Sequence, residues 1–390
     1  ENLDRFPAFL SLSSLSLAAM ADASQSLPTL PDELHHLIML QSLPHHSPYT
    51  VKERRRLLRS FSLVSSVWCT FAQEELLEMV WIAGIEAAGR LCSKLEGGET
   101  GMTDRKRIKG LFIDDVSALE HELNELDNVV RLCGHVEEVW IGFSVGVDFF
   151  SILLNLPRTS PASPSPRAPP SSHSSTDLTS LHLHETSFTL SDPSTCFPHL
   201  HHLALTVNYL WRLDYTLLSI SHFPSLSSLA LTGKGHRLGG PSLAPLHLLA
   251  PQLDSLVLGR VGNDPSDPEG VASVLRRCTS LRRFSFCDSV KSFSATMEAL
   301  PSPLRTLQIS LHASDDFPLL VAVLVRNGTP ASLAALRELR IVRRQTVDLG
   351  KQRWAECRSE VERWCEEREV RFGFMGGRGD LVNDWDDFVD

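Results

Sequence analysis

The sequence predicts an α/β solenoid, a curved parallel sheet with outer helices, preceded by a small all-α module. Three observations predict it. A short phrase, Leu-x-x-Leu-x-Leu, recurs down the chain; the text between copies switches to a helical period; and residues 27–83, ahead of the copies, carry runs of helical spacing. Full copies start at Leu178, Leu200, Leu226, Leu253, Leu281, Leu304 and Leu336, separated by 22, 26, 27, 28, 23 and 32 residues. Self-similarity at such a period marks stacked repeats. Two weaker copies, Ile108-x-x-Leu111-x-Ile113 and Val136-x-x-Val139-x-Ile141, extend the array upstream, so the solenoid is expected over 105–375.

The phrase has the form of a leucine-rich-repeat strand. Alternate side chains of a strand point to opposite faces, so the last two apolar positions of each copy enter one core. The positions between them face outward on the concave sheet. Stacking aligns them into columns. The middle column reads Phe112, Trp140, His182, Ala204, Ala230, Val257, Ser285, Gln308, Arg340. The preceding one reads Gly110, Glu138, Ser180, His202, Ser228, Ser255, Arg283, Thr306, Glu338. Aromatic and Arg side chains are the usual interface anchors. Phe112, Trp140, His182, His202, Arg283, Arg340 and Arg343 are therefore the candidate substrate-binding residues. A partner with an apolar segment near Trp140 and an acidic one near the later repeats would suit them. The plainer alternative is an ordinary mixed surface, with Trp140 covered by the loop at 157–176.

Between copies the apolar spacing is helical. Ser117-x-x-Glu120 is a capping-box signature ahead of Leu123, Leu126 and Val130. Val271, Val274, Leu275 and Cys278 form a similar stripe, as do Phe293, Met297 and Leu300. Asp315-Asp316 and Gly328 bracket a further helix. A last helix over 351–368 carries Trp354, Val361, Trp364 and Cys365, and Val370-x-Phe372-x-Phe374 reads as a closing strand that caps the array. Pro157 to Thr176 is nearly all Pro, Ser, Ala and Thr, and is expected to be a disordered loop with three Ser-Pro pairs open to proline-directed kinases. Residues 1–26 are expected to be disordered, with Met20 a candidate natural start. Residues 84–104 read as a linker and 376–390 as an acidic tail.

Composition narrows the function. The net charge of −10 and pI near 5.9 argue against a nucleic-acid partner, which calls for a basic footprint. Eight cysteines, scattered without a Cys-x-x-Cys pair, read as reduced thiols of a cytoplasmic or nuclear protein. No apolar run reaches membrane-spanning length. His182, His184, His201 and His202 lack the Cys or carboxylate company of a zinc site. Gly233-Lys234-Gly235 lacks the spacing of a phosphate-binding loop. No nucleophile–base arrangement has local support, so neither catalysis, a metal nor a cofactor is expected.

Residues 27–83 differ from the repeats. Pro31 opens a helix with Leu34, Leu37 and Ile38 at helical spacing. A Pro/His-rich turn and Arg54-Arg55-Arg56 follow, and a second helical run carries Leu57, Leu58, Phe61, Val64, Trp68 and Phe71. Helical character is expected to continue through Glu74–Val80 to Trp81-Ile82. Leu30-Pro31-Asp32-Glu33-Leu34 with Ile38, then Leu63-Val64-Ser65-Ser66-Val67-Trp68, then Leu76-Leu77 through Trp81-Ile82, resemble the three signatures of an F-box. The usual Lys or Arg before the Trp is Val67 here. The resemblance implies a three-helix module that docks on the Skp-family adaptor of an SCF (cullin-RING) ubiquitin ligase. Leu30, Pro31, Leu34, Ile38, Leu63, Val64 and Trp68 would form the apolar dock. Joined to leucine-rich repeats, such a module implies a substrate receptor of that ligase. The alternative is a repeat scaffold for protein–protein interaction that is independent of ubiquitin.

Overall fold

The computed structural model describes residues 30–44, 50–97, 105, 107–114, 123–133, 135–142, 178–184, 196–207, 218–233, 243–259, 270–287, 293–311, 316–326, 331–343 and 351–376. The expected disordered segments at 1–26 and 157–176 and the tail from 377 lie outside them, as does the capping box at 117–120.

Eleven parallel strands form one open sheet in strict sequence order: β1 Met79–Ala83, β2 Gly110–Asp114, β3 Glu138–Ile141, β4 Ser180–His184, β5 His202–Val207, β6 Ser228–Gly233, β7 Ser255–Gly259, β8 Arg283–Cys287, β9 Thr306–Leu311, β10 Glu338–Arg343 and β11 Arg371–Gly376. Each strand pairs only with its sequence neighbours, an arrangement compatible with the solenoid that the repeats predict. The phrase sets the register. Leu181 pairs with Leu203, Leu203 with Leu229, Leu229 with Leu256, and Leu183, Leu205, Leu231 and Leu258 run alongside. The residue before each strand adds a second tie. The His201 carbonyl accepts from both Ser227 N and Ser228 N, and the Ser227 carbonyl accepts from Asp254 N and Ser255 N. All three apolar positions of the phrase are buried in one continuous core that runs from Ile82 to Val370.

Connecting segments cover the core face. Helix α4 (Ile85–Glu96) packs against α5 (Leu123–Leu132), with Ala88, Cys92, Leu95, Leu126, Val129 and Val130 turned inward. Short helices at Gly270–Leu275, Phe293–Glu298 and Asp316–Val321 turn Val271, Val274, Leu275, Met297, Phe317 and Leu320 into the core. Between β6 and β7, where a helix was expected, two 3-10 turns stand instead, Ala244–Leu248 and Ala250–Gln252. Pro245 and Pro251 account for the difference, since proline lacks the N–H an α-helix interior needs. At the far end the helix Lys351–Glu366 leads into β11 as expected. Trp354 packs on Phe317 and Phe374, and Arg358 lies over Phe374, so this unit covers the last core edge.

The N-terminal module consists of α1 (Asp32–Gln41), α2 (Val51–Phe61) and α3 (Ser66–Glu78) around Met39, Leu43, Leu58 and Ala72. Ser65 caps α3 by accepting from Trp68 N at 3.2 Å. Arg54, the first of the three arginines, turns inward; its guanidinium donates to Glu75 and to the Pro44 carbonyl, each at 2.8 Å. Two boundaries differ from the sequence expectation. Helix α3 stops at Glu78 and the chain passes directly into β1, so Met79–Ala83 is a strand of the sheet, not the end of a helical module. Residues 84–104, expected as a linker, carry α4, whose apolar side chains belong to the sheet's core.

Two substitutions probe this architecture. Leu229→Ala removes a fully buried side chain from the middle of the core and is expected to cost about 2–5 kcal/mol in equilibrium denaturation. Glu369 follows the last helix at φ 57, with Val370 N bonding back to the Cys365 carbonyl at 2.9 Å. Such a left-handed helix terminus favours glycine, so Glu369→Gly is expected to raise stability by roughly 1 kcal/mol in the same assay.

Candidate functional site

Two surfaces hold the residues that the sequence singles out. The first is the helical module. In α1 only Met39 is fully buried; Leu34, Leu37 and Ile38 remain 45–50% exposed, with Leu30 and Pro31 exposed just ahead. Leu63 and Val64, in the turn between α2 and α3, are 86% and 62% exposed. Trp68 differs from the rest. It is half-buried against Phe61, and its indole N–H donates to His35 Nδ1 at 3.0 Å, which ties α3 to α1. The exposed leucines flank this tie, since Leu34 and Ile38 neighbour His35 on α1 while Leu63 and Val64 precede α3. Leu37 joins the exposed set although the sequence motif did not include it. Its position one turn after Leu34 was the available signal.

The second surface is the sheet face away from the core. The columns predicted from the phrase stand in register, and the structure lengthens the middle one with Trp81 before Phe112 and Gly373 after Arg340. Its occupants are not all presented to solvent. Val51, the first residue of α2, packs with Phe112 and Trp140, beside Met79 and Trp81. Phe112 stacks on Trp140, and Trp140 on His182 with ring centroids 3.4 Å apart. Phe112, Trp140 and His182 are therefore buried, which corrects their assignment as exposed substrate anchors. Alternation places a side chain on a face, but it says nothing of what lies over that face. Here a helix from the preceding module does.

The cluster has a consistent electrostatic logic. The Trp140 indole donates to Glu138 at 2.6 Å, Ser180 Oγ lies 2.9 Å from His182 Nε2, and Glu138 Oε1 is 3.8 Å from the same nitrogen. Burial pushes the His182 imidazole down to about 3, with the nearby His202 adding in the same direction. Burial raises the Glu138 carboxyl, partly offset by the Trp140 hydrogen bond. Both shifts favour neutral forms.

Further along, the face is small and polar. Ala204, Ala230 and Val257 form a narrow apolar stripe. Thr206 and Thr232 bond to each other on one side at 2.7 Å. On the other, the Ser228 and Ser255 hydroxyls are buried without partners, as are Ser285 Oγ, Gln308 Oε1 and Ser310 Oγ beyond them. His202 is half-buried and held below the usual imidazole range by burial and then by the charges of His201 and Arg283. Arg283 reaches Asp254 at 3.9 Å, and Arg340 pairs with Glu338 at 3.1 Å. Arg343 ends β10, and its side chain lies outside the described residues. The predicted residues with described side chains thus divide into a covered aromatic end, Phe112, Trp140 and His182, and the ion-paired Arg283 and Arg340, with His202 and the serine stripe between.

No family model matches this chain. No curated protein matches it either. Among the described residues no helix is long and apolar enough to cross a membrane, and no three His, Cys, Asp or Glu side chains converge to hold a metal ion. The seven cysteines with described side chains form no disulfide, and burial pushes the Cys133, Cys278 and Cys365 thiols up to about 12.

His182 provides a direct check. Its folded value lies below the ordinary 6.5, so its burial contributes stability that is present above pH 6.5 and is lost as pH falls toward 3. Glu138 works in the opposite sense. NMR of the imidazole nitrogens is expected to show neutral His182 at pH 5, where an exposed histidine is mostly protonated; a charged ring there would contradict the burial described.

Proposed function

We propose that this chain is the substrate-recognition subunit of an SCF-type ubiquitin ligase, built from an F-box-like module and a leucine-rich-repeat solenoid, and working in the cytoplasm or nucleus. One observation carries the reading. Six of the eight large apolar side chains exposed among the described residues, Leu30, Leu34, Leu37, Ile38, Leu63 and Val64, fall within the N-terminal module. Grouped exposed apolar side chains mark a surface that another protein covers. Five of the six are the residues that the F-box resemblance assigns to the adaptor, and the array behind them has the sequential parallel sheet of a repeat protein.

In this reading the module docks a Skp-family adaptor, and through it a cullin-RING ligase. The sheet face from β5 onward, between the Ala204–Val257 stripe and Arg340, holds the protein substrate. The chemistry is proximity. Binding both partners raises the effective concentration of substrate lysines near a ubiquitin-charged enzyme, and the chain itself reacts with nothing.

The test is binding of the full-length chain to a purified Skp-family adaptor, measured by calorimetry. Leu63→Asp/Val64→Asp changes two strongly exposed side chains and is expected to leave the melting temperature unchanged. It should weaken the adaptor complex roughly a hundredfold, because losing two buried aliphatic contacts costs about 1.5 kcal/mol each. A folded wild-type chain that does not bind the adaptor would leave the ubiquitin-independent scaffold.

A further inference from the structure

A pocket of about 280 Å³ opens where α2 meets the free edge of the sheet, and its wall is cationic: Lys52, Arg55, Arg56 and Arg59, with Ser60, Leu63 and Trp81 completing it. The cations recur at helical spacing on one side of α2, while Val51, Arg54 and Leu58 fill the other side with buried contacts. Four cations on one helical stripe, in a chain of net charge −10, repel one another. Lys52 stands in the first turn of the helix, where its dipole favours anions. Among the described residues, ion pairs do not compensate all of them. Lys52 reaches Asp114 at 3.5 Å, but Arg56 and Arg59 have no ion-pair partner among the described residues.

Arg55 is held in place without being neutralised. Glu78 O accepts from Lys109 N and Gly84 N donates to Asp114 O, so the even-numbered residues of β1 pair with β2 and Trp81 turns its carbonyl to the open edge. Arg55 donates to that carbonyl at 3.1 Å and lies over the Trp81 ring, 5.3 Å from its centroid, with Lys52 Nζ 5.2 Å from the same ring. The contact fixes the guanidinium but supplies no negative charge. Burial and the Arg59 charge both act against its cationic form. The wall is also short of acceptors. Arg55 Nε and Trp81 Nε1 are buried N–H donors with none.

We propose that this pocket binds a phosphomonoester carried on a protein partner, a phosphoserine or phosphothreonine side chain. A phosphomonoester brings nearly two negative charges and three acceptor oxygens, which is what a wall of surplus donors lacks. The cavity is larger than one phosphate group fills, and the Trp81 ring and Leu63 offer apolar contact to the residues beside it. The assignment does not depend on the ligase reading.

Fluorescence anisotropy on the full-length chain tests it, with a short labelled phosphoserine peptide, its unphosphorylated twin, and inorganic phosphate as competitor. The wild type is expected to bind the phosphopeptide at least roughly tenfold tighter than the twin, and less tightly as salt rises. Arg56→Gln/Arg59→Gln should abolish that preference, while Arg90→Gln/Arg358→Gln, an equal charge change on other helices, should keep it. Adaptor binding by the pocket variant should be unchanged. Equal binding of the twin, or equal loss in both variants, would overturn the site. Inorganic phosphate displacing the peptide at the peptide's own concentration would assign the pocket to the free ion instead.

Discussion

No repeat of this chain can bury its own apolar edge, and every other feature of the structure follows from that constraint. A strand of five or six residues offers two or three aliphatic side chains to one face. They leave water only when the neighbouring strand places its own at the same height. Zero offset in the register is what does this, and the paired N–H groups that share the carbonyl before each strand help to hold it. Stability is thereby distributed along the array as nearest-neighbour contacts. The two ends, with a neighbour on one side only, need other cover. At the C-terminal end it is the Trp354–Trp364 helix with β11. At the other it is α2 and α3, which also place a helix across the outward face of β2 and β3.

That placement changes what the sheet can present. Trp81, Phe112, Trp140 and His182 form an aromatic row that holds the first module against the array. Beyond it the side chains are small, and Ala204, Ala230, Val257, Ser255 and Ser285 are buried as well. Polar atoms buried there without partners, such as Ser255 Oγ and Ser285 Oγ, are costly to leave unsatisfied.

Most strands of the parallel sheet were legible in the sequence because the phrase that forms them recurs and is written in leucine. The closing strand was legible because Phe372 and Phe374 keep the period of two after a helix. The first strand was overlooked although Leu77-x-x-Val80-x-Ile82 has the same spacing as the phrase; helical residues run up to it without a break, and no turn residue announces the change. Helix α4 was hidden in the stretch read as a linker, with Gly84 and Gly97 as its two caps. Leu30, Leu34, Ile38, Leu63 and Val64, singled out by motif, are exposed, whereas Trp68 is half-buried and tied to His35. The aromatic columns were assigned to the correct face and the wrong environment, because the helix that covers them comes from a distant part of the chain. The roles of Arg54, Arg55 and Arg56 could not be separated by sequence: three identical neighbours fall on an inward ion pair, a sheet edge and the exposed rim of the cationic pocket according to the phase of one helix.

The direct passage from Glu78 to Met79 has a further consequence. Without a joint between the last helix of the module and the first strand, the array acts as a ruler whose graduations are its own strands. Gaining or losing one repeat would move every later position relative to the apolar helices by a strand spacing, about 4.8 Å, and by the twist that accompanies it. Reach in such a molecule is therefore counted in whole repeats, and its evolution would proceed in steps.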